Sequence, residues 1–200
     1  LFILTAMPVR AVDDLYQKAA DLDQQGFFED AVLAWKKALA SNLEKNKRVS
    51  AQIKLSQGLY KLNQFDQALA QAQELVKSEP ENFHANFNLG NLLSGLGRYA
   101  EAVASYEKTI QLRPDEGLAY AGLALSHFGN GQIPSAVTKL EEAKKIFQEK
   151  KNISWHRDAH LMLQQIKMYD DAKYPPSFSS LWLKNNIKLV RETYEKNIPH

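Results

Sequence analysis

Cysteine is absent from this sequence of 200 residues. Disulfide frameworks, thiolate metal sites and cysteine nucleophiles are therefore excluded. The sequence also has no apolar run of about 20 residues, the length that a helix needs to cross a bilayer. Neither sign of charge predominates, since 25 Lys and Arg stand against 23 Asp and Glu. There is no GxxxxGK[ST] phosphate loop, no GxSxG nucleophile elbow and no HExxH zinc motif. The sequence therefore predicts no catalytic residues, no cofactor and no metal site.

A repeat of 34 residues runs through the middle of the chain. Leucine and alanine each recur three times at this offset, and prolines close two of the units at the same offset. The recurring positions are Leu55, Leu89 and Leu123; Ala68, Ala102 and Ala136; and Pro80 and Pro114. Several independent columns that agree on one offset indicate a repeat architecture, in which each unit buries its apolar face by stacking on the next.

The period and these residue types resemble the tetratricopeptide repeat (TPR) family. The pattern is clearest in residues 83–114, which read Leu89-Gly90, Tyr99, Ala102, Tyr106 and Pro114. The resemblance implies an all-α fold, a right-handed α-solenoid of stacked antiparallel helix pairs. It covers four units, at residues 12–45, 49–80, 83–114 and 117–147.

Local features of the units follow from this resemblance. The turn within each pair is expected at Gly26, Asn63, Gly97 and Gly131. Small residues such as Gly90 are expected where the two helices of a pair meet, with Tyr106 packed over the seam. Ala31 and Ala68 are 37 residues apart, so the connection between the first two units carries three extra residues, which the polar run at 41–48 would accommodate.

The family binds its partners in a concave groove lined mainly by the first (A) helix of each pair. Carried over residue by residue, the groove positions are Tyr16, Ile53, Gln57, Tyr60 and Lys61 in the first two units and His84, Phe87, Asn91, Leu118, Leu125 and Phe128 in the last two. The resemblance thus implies a non-catalytic scaffold or adaptor that holds a protein partner, either as an extended peptide or as an amphipathic helix. Assembly of a membrane-associated complex is part of this expectation.

The same residues leave alternatives to an open groove. Phe87, Leu125 and Phe128 could instead belong to the core between repeats. The C-terminal helix could fill the groove of its own chain, or pair with a second copy in a homodimer. Acidic chaperone tails are disfavoured because the groove of the third unit has no Lys or Arg. Nucleic acid is disfavoured because the groove carries little charge.

Two further helices are expected after the repeats. Residues 152–171 carry apolar side chains at helical spacing and would cap the last repeat. Residues 177–198 would form an amphipathic helix, with Ser179 or Ser180 as its N-cap. Its apolar stripe consists of Leu183, Ile187, Val190, Tyr194 and Ile198. Because residues 144–200 carry eleven Lys and Arg against six Asp and Glu, contact of this end with an anionic membrane or an acidic partner is a further hypothesis.

The first eleven residues, LFILTAMPVRA, resemble the end of a signal peptide or membrane anchor. Leu1 to Ala6 are apolar, and Val9-Arg10-Ala11 resembles a small-x-small cleavage site. An exported or membrane-associated location is therefore favoured over a cytoplasmic one, and membrane attachment would occur through this segment. The alternative is a short apolar strip that packs on the first repeat.

Two histidines raise the question of a metal site. His156 and His160 are four residues apart on a predicted helix and would share one face, a spacing that metal sites use. Neither a third ligand nor the glutamate of an HExxH motif accompanies them. Surface or capping roles are therefore favoured for both.

Overall fold

The computed structural model describes residues 9–170 and 176–198. Within these residues all regular structure is helical. The helices are α1 (Val9–Gln25), α2 (Phe28–Leu39), α3 (Lys45–Lys61), α4 (Phe65–Ser78), α5 (Phe83–Gly95), α6 (Tyr99–Leu112), α7 (Gly117–Gly129), α8 (Ile133–Glu149), α9 (Ile153–Asp170) and α10 (Pro176–Lys196). In the described ranges, no helix is both long enough and apolar enough to cross a bilayer.

The predicted signal or anchor segment falls mostly outside the described residues. Only residues 9–11 of that segment belong to the structure, where they form the start of α1. The location of the protein therefore stays a prediction from the sequence.

The chain divides into two compact units. Among the described residues, the first contains 9–80 together with Ile198, and the second contains 81–170 and 176–197. In the first unit, each of α1 to α4 packs on its neighbour in the sequence, and α1 also contacts α3. In the second unit, α5 to α9 pack in the same sequential manner, whereas α10 packs on α5 and α7.

The same type of turn joins the two helices in each of the four pairs. Gly26, Gly97 and Gly131 have φ values of 82°, 75° and 76°, and Asn63 has a φ of 59°. A left-handed residue directly after a helix is characteristic of a Schellman turn. The left-handed conformation costs the least free energy for glycine and the next least for asparagine. At Gly97 the two hydrogen bonds of the turn run from the Arg98 amide to the Leu93 carbonyl and from the Gly97 amide to the Ser94 carbonyl. The predicted turn positions are therefore confirmed.

The starts of α3 and α10 differ from what the repeat period and the predicted N-cap suggest. The extra residues of the polar run at 41–48 are shared between a short connection and the first turn of α3, which has 17 residues against 13 in α5. The last helix begins at Pro176, so the predicted N-cap at Ser179 or Ser180 is wrong. Proline is well suited to a first helical turn because its missing amide hydrogen would have no intrahelical acceptor there.

One buried tyrosine holds the centre of the second unit together. Tyr106 of α6 is 1% exposed, and its hydroxyl donates a hydrogen bond to Asn91 Oδ1 at 2.8 Å. A Cβ added to Gly90 of α5 would lie 3.0 Å from the Tyr106 ring, and one added to Gly122 of α7 would lie 2.5 Å from it. The ring therefore occupies space that two glycines leave free, and Gly90 lies at the helix seam as the sequence predicts.

We expect Gly122→Ala to lower the free energy of unfolding by about 1–2 kcal/mol. Overpacking against the Tyr106 ring costs about 1–3 kcal/mol, and the better helix propensity of alanine returns up to about 1 kcal/mol. Urea denaturation followed by circular dichroism measures the difference.

The control is the same substitution in a Tyr106→Leu background. Without the ring we expect Gly122→Ala to be neutral or stabilising, which makes the pair a double-mutant cycle. An equal loss in both backgrounds would mean that the ring is not what excludes a side chain at position 122.

Candidate functional site

The predicted groove residues of the first unit lie on its A helices, α1 and α3. We call them the first A-helix face: Tyr16, Ile53, Gln57, Tyr60 and Lys61. Tyr16, Ile53 and Gln57 are buried, Tyr60 is half-buried and Lys61 is exposed. Most of this face therefore belongs to the packed part of the protein, and Tyr60 and Lys61 are its accessible end.

A charged cluster adjoins Lys61. Asp23 Oδ2 lies 3.4 Å from Lys54 Nζ, and both side chains are only 10% exposed. Asp23 Oδ1 lies 3.8 Å from Lys61 Nζ, which also lies 4.7 Å from the centre of the Phe28 ring. The sequence singled out Lys61 but not Asp23 or Lys54. The seven-residue spacing of Lys54 and Lys61 places both on one helix face and was the available signal.

The predicted groove residues of the second unit lie on α5 and α7. We call them the second A-helix face: His84, Phe87, Asn91, Leu118, Leu125 and Phe128. Phe87 and Leu125 are 0% exposed, Asn91 and Leu118 are buried, and His84 and Phe128 are half-buried. These six residues therefore do not form an open surface.

The C-terminal helix covers one end of the second A-helix face. The Tyr194 ring of α10 is stacked on the Phe87 ring, with centroids 4.1 Å apart and an interplanar angle of 15°. The Tyr194 hydroxyl donates a hydrogen bond to the His84 carbonyl oxygen at 3.1 Å and lies 3.0 Å from His84 Nδ1. Stacking and hydrogen bonding together fix the position of the ring.

The N-terminal part of α10 covers the other end of the face. The Trp182 ring meets the Phe128 ring edge-on, with centroids 5.0 Å apart. The Trp182 indole Nε1 donates a hydrogen bond to Gln165 Oε1 of α9 at 2.6 Å. The Tyr169 ring of α9 completes the cluster, 5.6 Å from Trp182.

The structure thus joins two features that the sequence could only present separately. Tyr194 belongs to the predicted apolar stripe, and His84 and Phe87 belong to the predicted groove. Nothing in the local pattern pairs them, because they lie about 110 residues apart. Two of the alternatives that the sequence left open occur in the second unit: α10 lies on the A helices of its own chain, and Phe87 and Leu125 are completely buried.

Burial keeps both hydrogen-bonding rings neutral near pH 7. It raises the pKa of the Tyr194 hydroxyl well above its ordinary value. Burial, assisted by the positive charge of Arg113, lowers the pKa of His84 to about 4. The pair therefore positions α10 through neutral hydrogen bonds.

The two histidines on α9 have separate surroundings. His156 Nδ1 lies 3.2 Å from the Lys144 carbonyl oxygen, and His160 Nε2 lies 3.3 Å from Gln164 Nε2. Among the described residues, no group of three or more His, Asp and Glu side chains is arranged to hold a metal ion.

Comparison with known proteins relates this arrangement to one family. Residues 53–117 and 87–149 match the model of the tetratricopeptide repeat. A curated relative, the Hsp70-Hsp90 organizing protein of Triticum aestivum, is 29% identical over 83 residues, which are 42% of this chain and 14% of that protein. The chain spans between 11% and 18% of the length of three further relatives. Proteins of this family generally act as protein–protein interaction scaffolds and are typically non-catalytic.

Solved structures share the fold. MamA from Desulfovibrio magneticus RS-1 superposes with a TM-score of 0.69 at 18% identity, over 97% of this chain and 100% of that chain. YrrB, described as a TPR protein with an unusual peptide-binding site, superposes with a TM-score of 0.58 at 21% identity, over 68% of this chain and 69% of that chain. The predicted fold class, an all-α solenoid of antiparallel helix pairs, is confirmed.

The depressed pKa of His84 predicts a loss of stability in mild acid. Between its ordinary value of 6.5 and about 4, the unfolded chain binds a proton that the folded chain does not. Stability therefore falls as the pH drops through this window and is unaffected by His84 above it. Because the ring is only partly buried, solvent screening reduces the expected loss to about 1–2 kcal/mol.

Urea denaturation at pH 7 and pH 4.5, with His84→Gln as the reference protein, isolates this contribution. Other groups titrate equally in both proteins, so the wild type should lose more stability between the two pH values. The same loss in both proteins would contradict the assignment to His84.

Proposed function

Since this chain belongs to the tetratricopeptide repeat family, we propose that it is a non-catalytic scaffold in which an A-helix face of a unit binds a helical segment of a partner protein. The observation that carries this proposal is the seating of α10. An amphipathic helix lies on α5 and α7, with aromatic and hydrogen-bond contacts at its two ends. A surface that accommodates one helix in this manner has the shape and chemistry of a helix-in-groove site.

The relatives support binding to proteins or peptides. The Triticum aestivum relative is named for organising two other proteins, and YrrB is described by its peptide-binding site. A partner peptide or protein is therefore favoured over nucleic acid or a small molecule. The sequence of residues 1–11 favours a membrane-associated setting for the assembly.

The first A-helix face would supply polar contacts to such a partner. Lys61 is exposed, and Tyr60 beside it is half-buried, so both can reach a bound segment. The Asp23 carboxylate lies beside Lys54 and Lys61, so it partly neutralises the two lysines. This arrangement favours a partner segment with few charges over an acidic tail.

Self-association is a second candidate function. The seating of α10 favours it as well, because the same helix from another copy would make the same contacts. The chain would then be a structural repeat protein whose face is filled by its own sequence, either within one copy or between two.

Site-specific photo-crosslinking tests the proposal. A photoreactive phenylalanine analogue replaces Lys61 or Phe128 on the two faces, one at a time. Matched probes replace Leu33 on α2 and Leu161 on α9, which are 58% and 47% exposed and lie outside both faces. Each full-length variant is irradiated in extract of its native cells after its circular dichroism and melting have been checked.

We expect partner adducts from the Lys61 probe, partner adducts from the Phe128 probe where the partner replaces Trp182 on it, and none from the two control probes. An adduct with twice the chain mass of 22.7 kDa would identify a second copy and favour self-association. Equal adducts from all four positions, or none from Lys61 and Phe128, would contradict binding on the A-helix faces.

A further inference from the structure

The last helix is bound to the second unit differently from every other described helix of that unit. Each of α5 to α9 packs on its neighbours in the sequence, so the helix pairs hold one another. In contrast, α10 packs chiefly on α5 and α7, far earlier in the chain. The sequential contacts of α5 to α9 do not involve α10.

One side of α10 makes the contact and the other faces solvent. The contacting side chains are at most 8% exposed: Trp182, Leu183, Ile187, Val190 and Tyr194. On the opposite side, Leu181 is 62% exposed and Leu189 is 39% exposed. The buried stripe is continuous at steps of three and four residues, as in a peptide helix bound in a groove.

Polar groups fix where this helix lies along the face. At one end the Tyr194 hydroxyl donates to the His84 carbonyl oxygen, and at the other the Trp182 indole donates to Gln165. Beside Tyr194, Arg191 and Glu195 form an ion pair within α10 itself, with Arg191 Nε and Glu195 Oε1 3.7 Å apart. The charges of these two side chains therefore partly neutralise each other.

We propose that α10 is a displaceable internal ligand of the second A-helix face, and that the partner that fits there is an amphipathic helix with the same stripe. This inference rests on the proposed scaffold function. The partner stripe carries two aromatic residues twelve positions apart, equivalent to Trp182 and Tyr194, with aliphatic residues between them. A tyrosine at the second aromatic position is the anchor, because it alone combines the stack on Phe87 with the hydrogen bond to His84.

Because α10 is tethered to its own site, it competes with an external helix and thereby regulates binding at this site. A segment joined to its own site acts at an effective concentration on the order of mM. The apparent dissociation constant of an external helix is then the intrinsic constant divided by the fraction of molecules with an open face. A change that loosens α10 therefore raises the affinity for a partner without altering the face.

A fluorescent synthetic peptide of residues 177–198 tests the proposal on purified full-length protein. Val190→Asp, at a position 1% exposed, should release α10, and Leu189→Asp places the same charge at the exposed neighbour. We expect the Val190→Asp protein to bind the peptide at least about tenfold more tightly than the wild type. The Leu189→Asp protein should bind it like the wild type.

A second peptide tests the anchor. Replacing tyrosine by phenylalanine at position 194 of the peptide keeps the aromatic stack and removes the hydroxyl. We expect about tenfold weaker binding to the Val190→Asp protein, since a buried acceptor loses its hydrogen bond. Equal binding of the two peptides would overturn the role of Tyr194 as anchor.

Hydrogen exchange on the wild type covers the case in which Val190→Asp fails to fold. A displaceable α10 should exchange its amide hydrogens through an opening of lower free energy than the amides of α5 to α8. Exchange of α10 together with those helices would overturn the proposal. So would the absence of peptide binding to a folded Val190→Asp protein.

The two proposals fail in different measurements. The scaffold function is tested by partner adducts in extract, whereas the internal ligand is tested with purified protein and peptide. Adducts without peptide binding would leave α10 as a permanent part of the second unit. Peptide binding without adducts would leave a helix-binding face that serves only this chain.

Discussion

The close approach of three helices around the Tyr106 ring sets the geometry of the second unit. Gly90 faces the ring from α5 and Gly122 faces it from α7, and an added Cβ would lie 3.0 Å from the ring at Gly90 and 2.5 Å from it at Gly122. The distance between the two A helices follows from this packing, and so does the width of the face that they present together. The position of α10 on this face therefore depends on two glycines, which have no side chain to contact it.

The repeats could be predicted from the sequence because their constraints are local. A left-handed turn selects Gly or Asn at Gly97 and Asn63, and a tight seam selects Gly at Gly90. These requirements recur with the period of the fold, so they appear in the sequence as columns. The stripe of α10 could be predicted for a related reason, since helical periodicity records which side of a helix is buried.

The partner of that stripe could not be predicted in this way. Periodicity says that Tyr194 is buried but not which residues bury it, and His84 lies about 110 residues away. The ion pair of Asp23 and Lys54 could not be predicted either, because it joins α1 to α3 through two positions outside the repeat pattern. The groove positions came from the family, and the family pattern does not record that a helix of this chain covers Phe87.

The position of α10 after the helix pairs in the chain has a consequence for biosynthesis. The ribosome synthesises His84 110 residues before Tyr194. At about 5–20 residues per second, the delay between the two is about 5–20 s. During that interval the helix pairs can form while the Phe87 ring has no covering side chain from α10. A nascent chain can therefore carry the second A-helix face before α10 has been synthesised to cover it.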